Sequence, residues 1–188
     1  MSSWIALIGS IVIGALILLS FQQFQSDVTR DLYVNTIEHM TYNNLDGVTS
    51  LVEYDFSRIG FGINDPTMVA ITQADTAGLW YWLDGNDDGA LENVHYYLSD
   101  VNAASMTANP YDRLLLRQVS GGTPDTVSTG VRSFRLTYYD AAGNIAASPL
   151  EIKTLVVSLA LESAYAYDNQ YPRFVWQKRI TPSSLVMY

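Results

Sequence analysis

The chain has 188 residues, 48% hydrophobic, 12% aromatic and only 15% charged, enough apolar side chain for one folded core and too much for a disordered chain. Its net charge is −9, with Lys153, Lys178 and eight arginines as its cations; so acidic a chain has little to gain from counterion release, which argues against nucleic acid as a partner. It has no cysteine, which removes disulfides, thiolate metal ligands and cysteine nucleophiles together and is compatible with an oxidising compartment.

Residues 1–26 carry no ionisable side chain, and from Trp4 to Leu19 only Gly9, Ser10 and Gly14 break a run of Trp, Ile, Leu, Val and Ala. With Ser20 and Phe21 the run reaches about 18–20 residues, roughly 30 Å of helix, which matches the hydrocarbon thickness of a bilayer. A cleavable signal would show a basic start, a shorter apolar run and a small-residue cleavage site. Here no Lys or Arg precedes the run, and Ser20-Phe21-Gln22-Gln23 is a poor cleavage site. The segment therefore reads as a transmembrane or filament-core helix, its orientation left open by the missing basic flank. Ala6, Ser10 and Gly14 fall four residues apart, a seam of small side chains along which a second helix could approach closely.

From Asp27 the chain turns polar without a strong break. Val28, Leu32, Ile37, Met40, Val48, Leu51, Val52, Phe56 and Ile59 recur mostly at three- and four-residue steps, which predicts an amphipathic helix to about Ile59. Some loosening is expected at Asn43-Asn44 and Gly47, and a stop at Gly60-Phe61-Gly62 with Asn64-Asp65-Pro66. Strand formers then take over, with candidate strands at 68–73, 78–83, 93–98, 113–119, 131–139, 152–161 and 173–180. Leu155–Leu161 is nearly continuously apolar and reads as a central strand covered on both faces. The expected fold is α+β, a long N-terminal helix packed on a mostly antiparallel sheet. It divides into a transmembrane or filament-core helix (1–26), an amphipathic stem (27–62) and a sheet domain (63–188).

Chemistry-bearing motifs are few. Asp84, Asn86 and Asp88 stand at positions 1, 3 and 5 of a turn with Gly89 at position 6, the oxygen-ligand spacing that calcium uses, and Glu92 could serve from position 9. His95 stands where a helical calcium loop supplies a bidentate glutamate, so a polar hairpin turn that needs Gly and Asp for positive φ is the competing reading. No other cofactor is expected. His39 and His95 are isolated, no nucleophile elbow, phosphate loop or metalloprotease motif is present, and an Asp112–Glu151 carboxylate pair has no local support. A non-enzymatic role follows. The thirteen tyrosines, including Tyr96-Tyr97, Tyr138-Tyr139 and the Tyr165, Tyr167, Tyr171 cluster, suit either half-buried sheet faces or subunit contacts.

The order of parts resembles the type IV pilin-like superfamily, and most of all the larger minor pilins of type IV pilus assembly and the J-type pseudopilins of type II secretion. The resemblance runs from about residue 45 onward. It is carried by the acidic–basic–glycine phrase Leu51-Val52-Glu53-Tyr54-Asp55-Phe56-Ser57-Arg58-Ile59-Gly60-Phe61-Gly62 and by the hairpin from Trp82 through Asp84-Gly85-Asn86-Asp87-Asp88-Gly89 to Leu98. Arg113–Arg117, Val131–Asp140 and Ile152–Leu161 follow in the same order. The family carries a basic leader ending in glycine and a glutamate at the fifth mature position; Ile5 stands there if Met1 is the mature start. The resemblance implies a structural subunit of an extracellular filament or periplasmic pseudopilus. Such a subunit is held in the inner membrane before assembly and then associates with copies of itself or with related subunits. Two alternatives accompany it: a minor or tip pseudopilin, and a single-pass membrane-anchored binding domain that never polymerises.

Overall fold

Asn43, Asn44 and Gly47 are weak helix formers, yet the helix runs through them without a break. In the computed structural model, which describes residues 2–65 and 67–186, α1 spans Ser2–Ser57. Pro66, one of the expected stop residues, and Met1, whose status as initiator or processed end was left open, lie outside the described residues. Asn44 stays helical because its amide is used by the fold: Nδ2 donates to the Thr129 carbonyl at 3.0 Å and Oδ1 accepts from the Ser128 hydroxyl at 3.2 Å. Gly47 is exposed and has no other atom within 4 Å of where a Cβ would sit, so nothing around it forces a bend.

The chain divides into two compact units, Met1–His39 and Met40–Tyr188, a division that falls inside the expected stem. The first is helix alone, and its apolar run is exposed on every side. In the second, residues 40–57 of α1 lie on a seven-stranded sheet. Leu45, Val48, Val52 and Phe56, at helical spacing, enter the core together with Ile59 just past the helix end. The sequence periodicity had also placed Met40 and Leu51 on that face; both are exposed, and Leu45 fills the position instead.

α1 ends two residues before the expected Ile59 and closes through a tight turn. The Arg58 and Phe61 amides donate back to Asp55 and Arg58 carbonyls, and Gly60, at φ 79°, sends its N–H to the Trp82 carbonyl at 2.8 Å. A Cβ there would lie 3.1 Å from Ala70 and 3.2 Å from Ser184, so both dihedral and space select glycine.

The strands are β1 (Ile71–Asp75), β2 (Gly78–Leu83), β3 (Glu92–Leu98), β4 (Arg113–Val119), β5 (Asp125–Tyr139), β6 (Thr154–Glu162) and β7 (Arg173–Ile180). They pair in chain order, and each neighbour is antiparallel. The fold is thus α+β and pilin-like in arrangement, as expected. β5 starts at Asp125 instead of 131 because it serves two partners: its first half pairs with β4 and its second with β6. The register shifts between Val131 and Ser133, beside Gly130 at φ 74°, where a Cβ would lie 2.8 Å from the Glu162 carbonyl. Past the end of β4, the Leu136 N–H donates to the Thr76 carbonyl of the β1–β2 turn at 2.8 Å, which curls the sheet.

Alternation sorts the side chains. Leu79, Tyr81, Leu83, Val94, Tyr96, Leu115, Phe134, Leu136, Leu155, Val157, Leu159 and Leu161 point to the helix and are buried. Phe56 meets Tyr96 and Tyr81 edge-on, with centroids 5.2 and 5.9 Å apart. β6 departs from expectation: it is covered on its helix face only. On the other face Val156 and Ser158 are half-buried, and only the small Ala160 is closed off. A continuous apolar run does not by itself reveal which alternate positions a second layer covers.

Candidate functional site

Trp4, Ile5, Leu7, Ile8, Ile11, Val12, Ile13, Leu16, Ile17, Leu18, Leu19, Phe21 and Phe24 are all more than half exposed in the first unit. Each large aliphatic side chain left in water forgoes about 1.5–3 kcal/mol of burial, so such a surface needs lipid or protein around it. Ala6, Ser10 and Gly14 lie within it, all exposed. Gly14 has open space where a Cβ would stand, and the Ser10 hydroxyl is turned inward to the Leu7 carbonyl at 2.8 Å, so it presents no free polar donor.

The acidic–basic–glycine phrase fixes the stem to the sheet. Asp55, 4% exposed, accepts from Arg117 Nε at 2.6 Å and from the Tyr96 hydroxyl at 2.7 Å, both on Oδ2. Burial, then the Asp55 charge, drive the Tyr96 and Tyr81 hydroxyls well above the usual tyrosine range. Tyr81 Oη is buried without a hydrogen-bond partner. Glu53 forms an ion pair with Lys178 of β7. Arg58 reaches the hairpin, donating to the carbonyls of Asp84 at 2.8 Å and Gly85 at 3.1 Å. The phrase alone does not reveal these partners: Arg117, Tyr96 and Lys178 lie far away in sequence on other strands, and no local pattern joins them.

The hairpin between β2 and β3 brings Asp84, Asn86, Asp88 and Glu92 into one turn. Asp84 is buried, and its two oxygens accept from the backbone N–H groups of Asp88 at 3.2 Å and Gly89 at 2.9 Å. Asn86 Oδ1 accepts from Asp88 N at 3.2 Å, Asp88 Oδ1 from Ala90 N at 2.7 Å, and Glu92 Oε2 from Gly85 N at 2.6 Å. Asp87 and Gly89 take φ of 59° and 85°, as a polar turn of Asp and Gly requires. The four side chains would be the ones to hold a calcium ion. As they stand their oxygens staple the loop, and among the described residues no group of three Asp, Glu or His side chains is assembled for a metal.

The remaining candidates are dispersed. His95 is stacked between Trp80 (3.7 Å, 9°) and Tyr97 (4.3 Å, 16°) on the face away from the helix, and burial lowers its pKa. Asp112 is not paired with Glu151, which accepts from the Ala147 N–H at 3.0 Å. Asp112 is 1% exposed, and among the described residues neither carboxylate oxygen has a hydrogen-bond partner. Burial pushes its carboxyl up and the Glu162 charge adds to it, while the Thr107 hydroxyl is bonded to the Ala104 and Asn109 carbonyls. The tyrosine pairs split across the sheet, with Tyr96 inside and Tyr97 outside, while Tyr165 is exposed. A cavity of about 250 Å³ at the end of α1 has a mixed lining, with Ile63, Met68, Leu150 and Leu185 beside the polar Asp65 and Lys153. No protein-family model, curated protein or solved structure matches the chain.

Proposed function

We propose that this chain is a non-enzymatic structural subunit of a type IV pilus-like extracellular filament or pseudopilus, polymerising through its N-terminal apolar helix. The observation that carries the proposal is a charge-free helical run, exposed on every side, joined to a sheet unit with a complete core of its own. The helix would wait in the inner membrane and then move into a bundle with other copies or related subunits. Lipid and a helix bundle are equally apolar, so the move exchanges lipid contacts for packing, which the small residues Ala6, Ser10 and Gly14 would favour. The sheet unit would face water on the outside of the cell surface filament, or the periplasm in a pseudopilus.

The test is electron microscopy of surface filaments from cells making the full chain or its Leu16→Arg variant, with the subunit located by antibody. The proposal expects label along the shaft and loss of filaments in the variant, because a central arginine is costly in both lipid and bundle. Label confined to filament ends would assign the minor or tip role. Membrane-bound protein without filaments would leave a single-pass anchored binding domain and overturn the polymer.

A further inference from the structure

Three arginines stand on the face of the sheet turned away from the helix. Arg135 of β5, Arg173 and Arg179 of β7 are exposed, in a chain whose net charge is −9. Antiparallel register places Arg135 and Arg179 near each other: Arg135 lies opposite Ser158, Ser158 opposite Gln177, and Val156 opposite Arg179, while Arg173 stands at the other end of β7, opposite Glu162. The Arg179 guanidinium rests over the Tyr139 ring at 4.9 Å. Among the described residues, Arg135 and Arg173 have no carboxylate within salt-bridge reach. The side chains between the arginines, Ser158 and Gln177, are uncharged. Glu162, opposite Arg173 on the same face, is taken up by Arg132 at 3.6 Å, so Arg135 and Arg179 make a small basic patch on an acidic protein.

The opposite charge stands at the other end of the strand order. The β2–β3 hairpin carries Asp87 and Asp88, both exposed. Asp84, Asp88 and Glu92 are spent on the loop's own N–H groups, whereas among the described residues the Asp87 carboxylate has no hydrogen-bond partner, and it stands on a residue at φ 59°. We propose that the arginine face of β5–β7 docks on the acidic β2–β3 hairpin of a second copy of this chain. The two surfaces differ, so the contact is head-to-tail, and such contacts propagate into open helical assemblies unless the rotation closes a ring. Exposed ion pairs contribute little affinity; their part is to set the register of sheet units whose cohesion comes from elsewhere. The inference rests on the polymer reading above.

The chain's lack of cysteine makes the test clean. Full-length Asp87→Cys/Arg179→Cys, assembled in cells, is treated with a short bismaleimide and compared with each single variant. The expected result is a ladder extending past the dimer in the double variant only; filaments without a ladder, or a product that stops at dimer, overturn the docking. Charge exchange provides a second measurement. Arg135→Glu/Arg179→Glu should cut filament yield at least tenfold, and adding Asp87→Lys should restore it, while normal yield from the arginine variant overturns the inference. If the unaltered chain forms no filaments, the polymer reading itself has failed; if it does and the ladder is missing, only the docking has.

Discussion

Asp55 shows how a single carboxylate ties the helix to the sheet. It sits between Arg117 and Tyr96 with almost no solvent contact. Removing one partner of a buried pair strands the other, at a cost of about 3–5 kcal/mol. The Arg117 side chain keeps a quarter of its exposure, so Asp55→Ala should lower the unfolding free energy, read by urea denaturation, by no more than the lower end of that range, and Asp55→Leu with Arg117→Met should recover most of it, because both charges leave together. Asp112 acts in the opposite sense. Its folded pKa lies above the ordinary 3.8, so the fold prefers its protonated form. That contribution is fully present below the unfolded pKa and is lost as pH rises through the folded one. Asp112→Asn should raise the melting temperature at pH 7 and leave it unchanged below the unfolded value, as read by thermal scans across pH. Neither role was visible in the chain order: Asp55 could be quoted within its phrase, but Arg117 meets it only through the β3–β4 register, and Asp112 loses its partners only once the 99–112 loop closes over it.

At the scale of elements, alternation and helical spacing carried most of the fold. β2, β4 and β7 begin and end where Gly78–Leu83, Arg113–Val119 and Arg173–Ile180 were expected; in β4 and β7 the helix-facing set also includes Arg117 and Lys178, which pair with Asp55 and Glu53 of the helix. The misses have local causes. β5 is longer than expected because Asp125–Gly130 is too polar and glycine-rich to read as strand, and pairing with β4 organises it. The stem does not loosen at Asn43–Gly47 because Asn44 is held by Ser128 and Thr129. The hairpin 84–92 was legible as a turn with acidic residues, but which N–H each oxygen accepts depends on its φ angles. Gly47 itself carries no contact that a methyl group would disturb. Gly47→Ala should stabilise the sheet unit by about 0.5–1 kcal/mol, measured by chemical denaturation of the full chain in detergent.

For the molecule as a whole, the apolar run of residues 4–24 and the self-sufficient core of residues 40–186 are separate solutions to separate solvents, and that contrast was already legible in where the charges stop. The sheet adds something that composition could not show. Each strand after β1 bonds to the one made just before it, so the ladder needs no long crossover and little loop-closure entropy. Such a topology has low contact order for a β-rich protein and should fold quickly. It can also be completed strand by strand as the chain is delivered N-terminus first, the curl fastening when Leu136 finds the Thr76 carbonyl.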